Sequence, residues 1–564
     1  MRTVITALLL NIFCLAQAQL IIDGRHTAYD SLTNTMLATV PEALFGQSAQ
    51  LSVGLAEGYA ACTVDGEAVS DSCVFSDIEA LKGYHILLTD TMGNTVSRRL
   101  EFTFLPIICL SGNFSNDYLH TLVLFSDPAA RQTDTLAADV KWRGGTTNTP
   151  DKHKRNYKIK LDADTTLLGL RNDNNWILDA GQPDVFRLRN RIAMDIWNSM
   201  ATPPYYADQE PKARNGVSGR LVEVFLDDDY RGFYNLSEAM DRKQMKLKKI
   251  DKQTGEIRGC LYKGVTWSRT QMFNSIDDYD NNEETLFGFE VKYPDLQDSD
   301  TTDWSPLVAA CNFSVESADE DFRDHIADYF DMPVVMDYNI FFNVVNAVDN
   351  AGKNMYWAIY DKTQTQRLTP TPWDLDATLG QRWGGQLVRE TDEGLCTSPD
   401  YRLDYETMTS YRHFRDNFND YIGKMNTRYR QLRQPGQPLH TDSLLAVVSH
   451  YYRMVKNSGA AAREQAKWSG DSDVWGDTID FDREYAYICN WISQRMTFID
   501  ATELPLFYKS SYFDELDVSA PTANGRPDDA IRDLSGRIVA TGPSTALKPG
   551  VYIRGGRKII IKKF

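Results

Sequence analysis

Asp349-Asn-Ala-Gly-Lys-Asn354 is followed by Met355-Tyr-Trp-Ala-Ile-Tyr360 and, after a polar turn, by Leu368-Thr-Pro-Thr-Pro-Trp373-Asp-Leu-Asp376. The first hexapeptide has the Asn and Gly of a turn. It ends the long apolar run from Met332 to Val348, which reads as a buried helix. The second segment reads as a strand. The third closes on two carboxylates, Asp374 and Asp376, two residues apart at a strand end. Carboxylates so placed can converge on a hard cation. A solvated turn or a calcium site is the plain reading of these two residues taken alone.

Asp349 with Asn354 five residues later has the spacing of a protein-kinase catalytic loop. There the Asp orients or accepts the proton of the attacking hydroxyl and the Asn oxygen holds Mg²⁺. Chance alone supplies such pairs in a chain this rich in Asp and Asn. The order loop, strand, acidic segment gives the pair its weight. Phosphates also need a cation. Lys158 and Lys160 lie on the alternating strand that follows the Arg143-Gly-Gly turn, and period two puts both on one face.

Outward from this centre the chain changes character. Residues 106 to about 318 are strand-rich, with Arg220-Leu-Val-Glu-Val-Phe-Leu and Tyr230-Arg-Gly-Phe-Tyr-Asn-Leu reading as a hairpin around Asp227-Asp-Asp. Asp184 to Met200 reads as a helix, with Val185, Leu188, Ile192 and Ile196 on one stripe. Helices dominate from Asp319, and residues 400–503 read as several amphipathic helices. The predicted fold class is α+β, a two-lobed body at 106–505 with a β-rich front and a helical rear. Alternation and turn residues in 19–105 predict a small immunoglobulin-like sandwich. Residues 506–564 return to strands after a linker.

Five segments in order resemble the CotH family of spore-coat-type atypical kinases. They are Trp142-Arg-Gly-Gly through Tyr157-Lys-Ile-Lys-Leu, Asn175-Trp-Ile-Leu through Phe186-Arg-Leu-Arg-Asn-Arg, and Val222-Glu-Val-Phe-Leu through Glu238. Then come Leu261-Tyr-Lys-Gly with Phe289-Glu-Val-Lys, and Asp349 to Asn354 leading into Trp373-Asp-Leu-Asp. The resemblance implies a diverged kinase-like fold that transfers phosphate from ATP, with Mg²⁺ or Mn²⁺, to Ser or Thr of exported proteins. By position it implies Asp349 as the catalytic residue. Asn354, Asp374 and Asp376 would be the metal ligands, with Asp374 foremost. Arg143, Lys158, Glu238 and Lys263 would serve the nucleotide, and Lys292 also stands in a matching segment. One departure is the stretch after Arg143-Gly, Gly145-Thr-Thr-Asn-Thr-Pro, which runs into the basic Lys152-His-Lys-Arg.

The ends of the chain carry their own signals. Arg2, the apolar run Val4–Leu15 and Ala16-Gln-Ala-Gln19 have the form of a signal peptide cut after Ala18. This predicts a secreted or outer-surface protein. No later stretch is apolar enough to span a membrane as a helix. Asp533-Leu-Ser-Gly-Arg, Leu547-Lys-Pro-Gly-Val-Tyr-Ile and a Lys-rich final strand resemble the sorting domain of type IX secretion, which implies the export machinery as a partner. The net charge of −18 makes nucleic acid a poor partner. Seven cysteines outside the signal segment include no CxxC pair, which argues against a structural zinc site. Cys62 and Cys73 are close enough in sequence to bridge a hairpin. Two rival functions stand beside the kinase: a non-catalytic surface protein that keeps the fold for binding, and a glycan-active enzyme. The second is disfavoured, because Asp374 and Asp376 stand too close in sequence to flank a sugar as acid and base.

Overall fold

The computed structural model describes residues 20–266, 275–296, 299–347, 349–350, 352–382, 385, 387, 417–502, 504, 530–532, 538–541, 550–554 and 557–561. The expected signal peptide, the linker from 506, Cys396 and the turn residues of the C-terminal motif lie outside the described residues. The chain is mixed α and β and divides into two compact units, 1–508 and 509–564.

The first strands form two sheets of four and six strands. Their inner faces share one core that includes Leu20, Met36, Phe75, Ile86 and Phe102. Tyr84–Asp90 pairs antiparallel with Thr95–Thr103 across a tight turn. Asp90 closes its turn by accepting bonds from the backbone N–H groups of Met92 and Asn94, both at 2.8 Å. Cys62 and Cys73 lie in opposite sheets rather than on one hairpin, and both are free thiols.

Seven strands then close a barrel. In spatial order they are Ile107–Leu110, Leu119–Ser126, Asp134–Arg143, Asn156–Thr166, Asn172–Asp179, Asp229–Glu238 and Gly219–Leu226. Tyr157, Ile159 and Leu161 point into the barrel with Val140, Trp176, Leu178, Val222 and Leu236. Each such side chain stabilises the fold by ~1.5–3 kcal/mol when buried. Strand alternation therefore sets Lys158 and Lys160 on the outer face.

A helix follows at Arg189–Met200, five residues later than the periodicity predicts. The delay has a local cause. The Asp184 carboxylate accepts from the backbone N–H groups of Phe186 and Arg189, at 2.9 and 2.8 Å, and pairs with the Arg189 guanidinium. Residues 184–188 are held in a turn as a result.

A five-stranded sheet comes next, ordered Thr285–Leu286, Phe289–Tyr293, Cys260–Gly264, Met355–Ile359 and Thr369–Pro372. The apolar helix Met332–Val345 packs against the last of these strands and ends at Asn346 in a left-handed conformation. The described rear helices are Tyr421–Leu432, Thr441–Asn457, Ala460–Trp468 and Phe481–Thr502. Glu464 on the third is fully buried. It accepts from Lys154 and Arg187, both at 2.8 Å, and from the Phe233 N–H at 3.1 Å. Among the described residues no helix is long and apolar enough to cross a membrane. The second unit is a four-stranded antiparallel sheet, ordered Ile538–Thr541, Ala530–Arg532, Gly550–Arg554, Arg557–Ile561.

Candidate active site

The turn after Met332–Val345 is tied to the acidic segment by one buried side chain. Asn350 donates its amide to the carbonyl oxygens of Asn354, at 2.9 Å, and Trp373, at 2.7 Å. The Trp373 N–H donates to the Asn354 carbonyl at 2.9 Å, and the Asn354 N–H to the Gly264 carbonyl at 3.0 Å. The Asn350 carbonyl in turn accepts from the Tyr338 hydroxyl at 2.6 Å. Asn354 and Asp374 both adopt positive φ, 56° and 58°. Asn and Asp tolerate that region better than other residues with a side chain, because their short polar groups bond locally.

These loops open onto a cleft of about 970 Å³ between the barrel and the five-stranded sheet. Arg143 and Asp179 reach it from the barrel, and Lys263 and Lys292 from the sheet. Asp349, Lys353, Asn354, Asp374 and Asp376 complete this set. Asp349 Oδ2 accepts from Lys353 Nζ at 2.7 Å and from Asn354 Nδ2 at 2.8 Å. That bond spends the nitrogen of the Asn354 amide and leaves its oxygen as a donor for a cation.

The electrostatics of the cleft are those of crowded anions answered by cations. Burial pushes the Asp376 carboxyl well above the usual range, and Asp374, Asp179, Asp184 and Asp349 push it further. Asp179 is raised chiefly by burial, with Asp374 adding to the effect, while its bonds from Gly181 and Asn190 oppose the shift. Lys263 is pushed down to about 8, first by burial and then by Arg143 and Lys292, against the pull of Asp374. A divalent cation would relieve the crowding. Three carboxylates and an amide oxygen are hard donors, which fit Mg²⁺ or Mn²⁺. Among the described residues the carboxylates of Asp349, Asp374 and Asp376 do not form a trio within 4.8 Å of one another, so any such ion would complete its shell with water or substrate oxygens.

Lys158 is part-buried on the outer barrel face. Burial depresses its ammonium, and the cleft residues Arg143 and Lys292, with Lys160, add to that, which puts it near the cleft cations. Glu238 is buried and accepts from the N–H groups of Arg171 and Ser218 and from the Gln244 amide, at 2.9–3.0 Å. That is structural work at the strand end. The basic run is likewise absorbed in part, since Lys154 is fully buried against Glu464.

Sequence reasoning missed Asn350, Asp179 and Asn190. Asn190 donates to Asp179 at 2.7 Å and accepts from the Leu375 N–H at 3.0 Å, which fixes the peptide between Asp374 and Asp376. Asn190 lies in the quoted Phe186-Arg-Leu-Arg-Asn-Arg segment, and that placement was the available signal. Arg143 carries its guanidinium over the Trp373 ring, 6.0 Å from the centroid.

A barrel and a sheet thus enclose a cleft lined by carboxylates, an amide and basic side chains, the inventory of a phosphate-handling protein. Residues 140–499 match the sequence model of the family described as CotH kinase protein, and the chain belongs to that family. The match takes in every residue of the cleft named above. No curated protein sequence matches the chain.

Proposed function

We propose that this chain is an exported atypical kinase that moves the γ-phosphoryl group of ATP to Ser or Thr hydroxyls of secreted or surface proteins. The observation that carries the reading is the meeting of Asp349, Asn354, Asp374 and Asp376 with Arg143, Lys263 and Lys292 in one cleft. Family membership supports it. In this reading the barrel and the helical rear are the two lobes of a kinase-like body.

Asp349 orients the acceptor hydroxyl and takes its proton as the oxygen attacks phosphorus and ADP departs. Lys353 and the Asn354 amide hold the Asp349 carboxylate in place for that task. Lys263, Lys292 and Arg143 attract the polyphosphate. Asn354, Asp374 and Asp376 would hold Mg²⁺ or Mn²⁺, which supplies charge neutralisation on the phosphate oxygens.

The flanks belong to the same proposal. The N-terminal segment is a signal peptide, the two-sheet unit at 20–105 is an immunoglobulin-like module, and the C-terminal sheet is a sorting domain read by the export machinery. The test is incubation of purified protein with labelled ATP and Mg²⁺ or Mn²⁺, beside Asp349→Ala. Label on the wild type alone supports the assignment, and equal label on both sinks it. Absence of both label and a thermal shift with ATP and Mg²⁺ would favour a non-catalytic binding protein.

A further inference from the structure

A second set of metal-type donors sits outside the cleft. His153 belongs to the loop between the barrel strands Asp134–Arg143 and Asn156–Thr166, and Asp471 and Asp473 to the turn after Ala460–Trp468. One ligand atom from each lies within 4.8 Å of the other two, the only such trio of His, Cys, Asp or Glu among the described residues. His153 Nδ1 stands 2.9 and 3.1 Å from the two oxygens of Asp471. Asp473 Oδ2 accepts from the backbone N–H groups of His153 and Lys154, both at 2.8 Å. Asp471 Oδ1 accepts from the Asp473 N–H at 2.8 Å.

The other oxygen of Asp473 is the independent sign. Asp473 is 1% exposed, and its Oδ1 is buried with no hydrogen-bond partner. A buried carboxylate oxygen left so is costly, and it calls for a cation. The cation nearest it is Lys152 Nζ at 3.9 Å, beyond hydrogen-bond reach and shared with Asp151 at 3.3 Å. His153 is 55% exposed on its side chain, and it lines with Asp471 a groove of about 980 Å³, so an ion has a path in.

We propose that His153, Asp471 and Asp473 bind one borderline divalent cation of the Zn²⁺ type, with water as the fourth ligand. An imidazole nitrogen with two carboxylates suits such an ion better than Mg²⁺ or Ca²⁺, which take oxygen ligands. The ion replaces the proton between His153 and Asp471 and satisfies Asp473 Oδ1. It ties the loop that carries Gly144, Gly145 and Lys152 to the helical rear. Those three residues line the cleft, so occupancy stiffens one wall of it. The site stands whether or not the cleft is a kinase centre.

The test is Zn²⁺ binding to the full chain, stripped with chelator and titrated by calorimetry against a competing chelator. One equivalent is expected in the wild type and in Asp374→Asn, which disarms the cleft instead. His153→Ala should weaken binding at least tenfold. Lys152→Met should tighten it, because it removes the competing ammonium. Circular dichroism confirms that each variant is folded. Unchanged binding in His153→Ala, or no wild-type binding at micromolar free Zn²⁺, overturns the proposal.

Discussion

Asn350 donates its side-chain amide to the Trp373 carbonyl across 2.7 Å, and so binds the turn that carries Asp349 to the segment that carries Asp374. The same amide bonds the Asn354 carbonyl at 2.9 Å. Replacing Asn350 by Ala strips the buried Trp373 carbonyl of this partner, at ~1–3 kcal/mol, while the Asn354 carbonyl keeps the Trp373 N–H. Asn350→Ala should lower the urea-unfolding free energy by about 1–3 kcal/mol. It should also weaken ATP·Mg²⁺ binding, although the side chain need touch no ligand. Unaltered unfolding would show that the two loops hold together without it.

Asp349→Asn keeps an acceptor for Lys353 and removes the charge and the base. Phosphoryl transfer should fall by about 100-fold or more, the usual worth of a positioned base. ATP affinity should stay within about threefold, measured by fluorescence titration. A matching loss in affinity would move Asp349 from the chemical step to nucleotide binding.

Lys263 carries a pH signature. Its folded value of about 8 lies below the ordinary 10.5, so between those values the unfolded chain binds the extra proton. Stability therefore gains from this group as pH rises from about 8 to about 10.5, and the protonated form costs stability below that window. The gain is at most about 3 kcal/mol. Chemical denaturation at pH 7.5 and 9.5 should show a rise that Lys263→Met abolishes. A bound polyphosphate favours the charged form, so ATP affinity should fall over the same window in the wild type and less in Lys263→Arg.

Asp374→Asn and Asp376→Asn should each raise the Mg²⁺ or Mn²⁺ concentration needed for half-maximal ATP binding. The larger effect belongs to the residue with the more direct bond, and calorimetry with Mn²⁺ ranks them. Equal and unshifted metal dependence in both would remove the pair from the metal shell.

Glu464→Ala tests the buried triad. It leaves Lys154 and Arg187 without their shared carboxylate, and breaking a buried pair costs ~3–5 kcal/mol. Thermal unfolding should fall sharply, while the triple variant Lys154→Met/Arg187→Met/Glu464→Leu, which removes all three charges, should recover much of the loss.

Periodicity carried the sequence reading a long way. The strand Asn156–Thr166 was legible because one face is apolar at period two, the hairpin because Asp227-Asp-Asp parts two strand-like runs, and the helix Met332–Val345 because its apolar run is continuous. Closure of seven strands into a barrel was not, since it depends on pairing between Ile107–Leu110 and Gly219–Leu226, which are over a hundred residues apart. In the cleft, Asp349, Asn354, Asp374 and Asp376 were visible because their spacing is local. Asn350 and Asn190 escaped notice because they act on backbone groups of other segments, and a sequence does not show which carbonyl a buried amide will meet. Glu238 and Lys154 illustrate the reverse. Their charge drew attention, and burial turned it to structural ends.

The Glu464 contact bears on how the molecule comes into being. Lys154 and the residue that neutralises it are 310 positions apart in the chain. During synthesis the barrel strands emerge long before the helix that completes them, and a lysine destined for a dry interior waits without its counter-charge. Such distant pairings slow folding, because the loop must close before the contact rewards it. The front half is thus incomplete until the segment Ala460–Trp468 brings Glu464 to Lys154 and Arg187. A chain that stops short of that helix has Asp349, Asn354, Asp374 and Asp376 but lacks the carboxylate that Lys154 and Arg187 share.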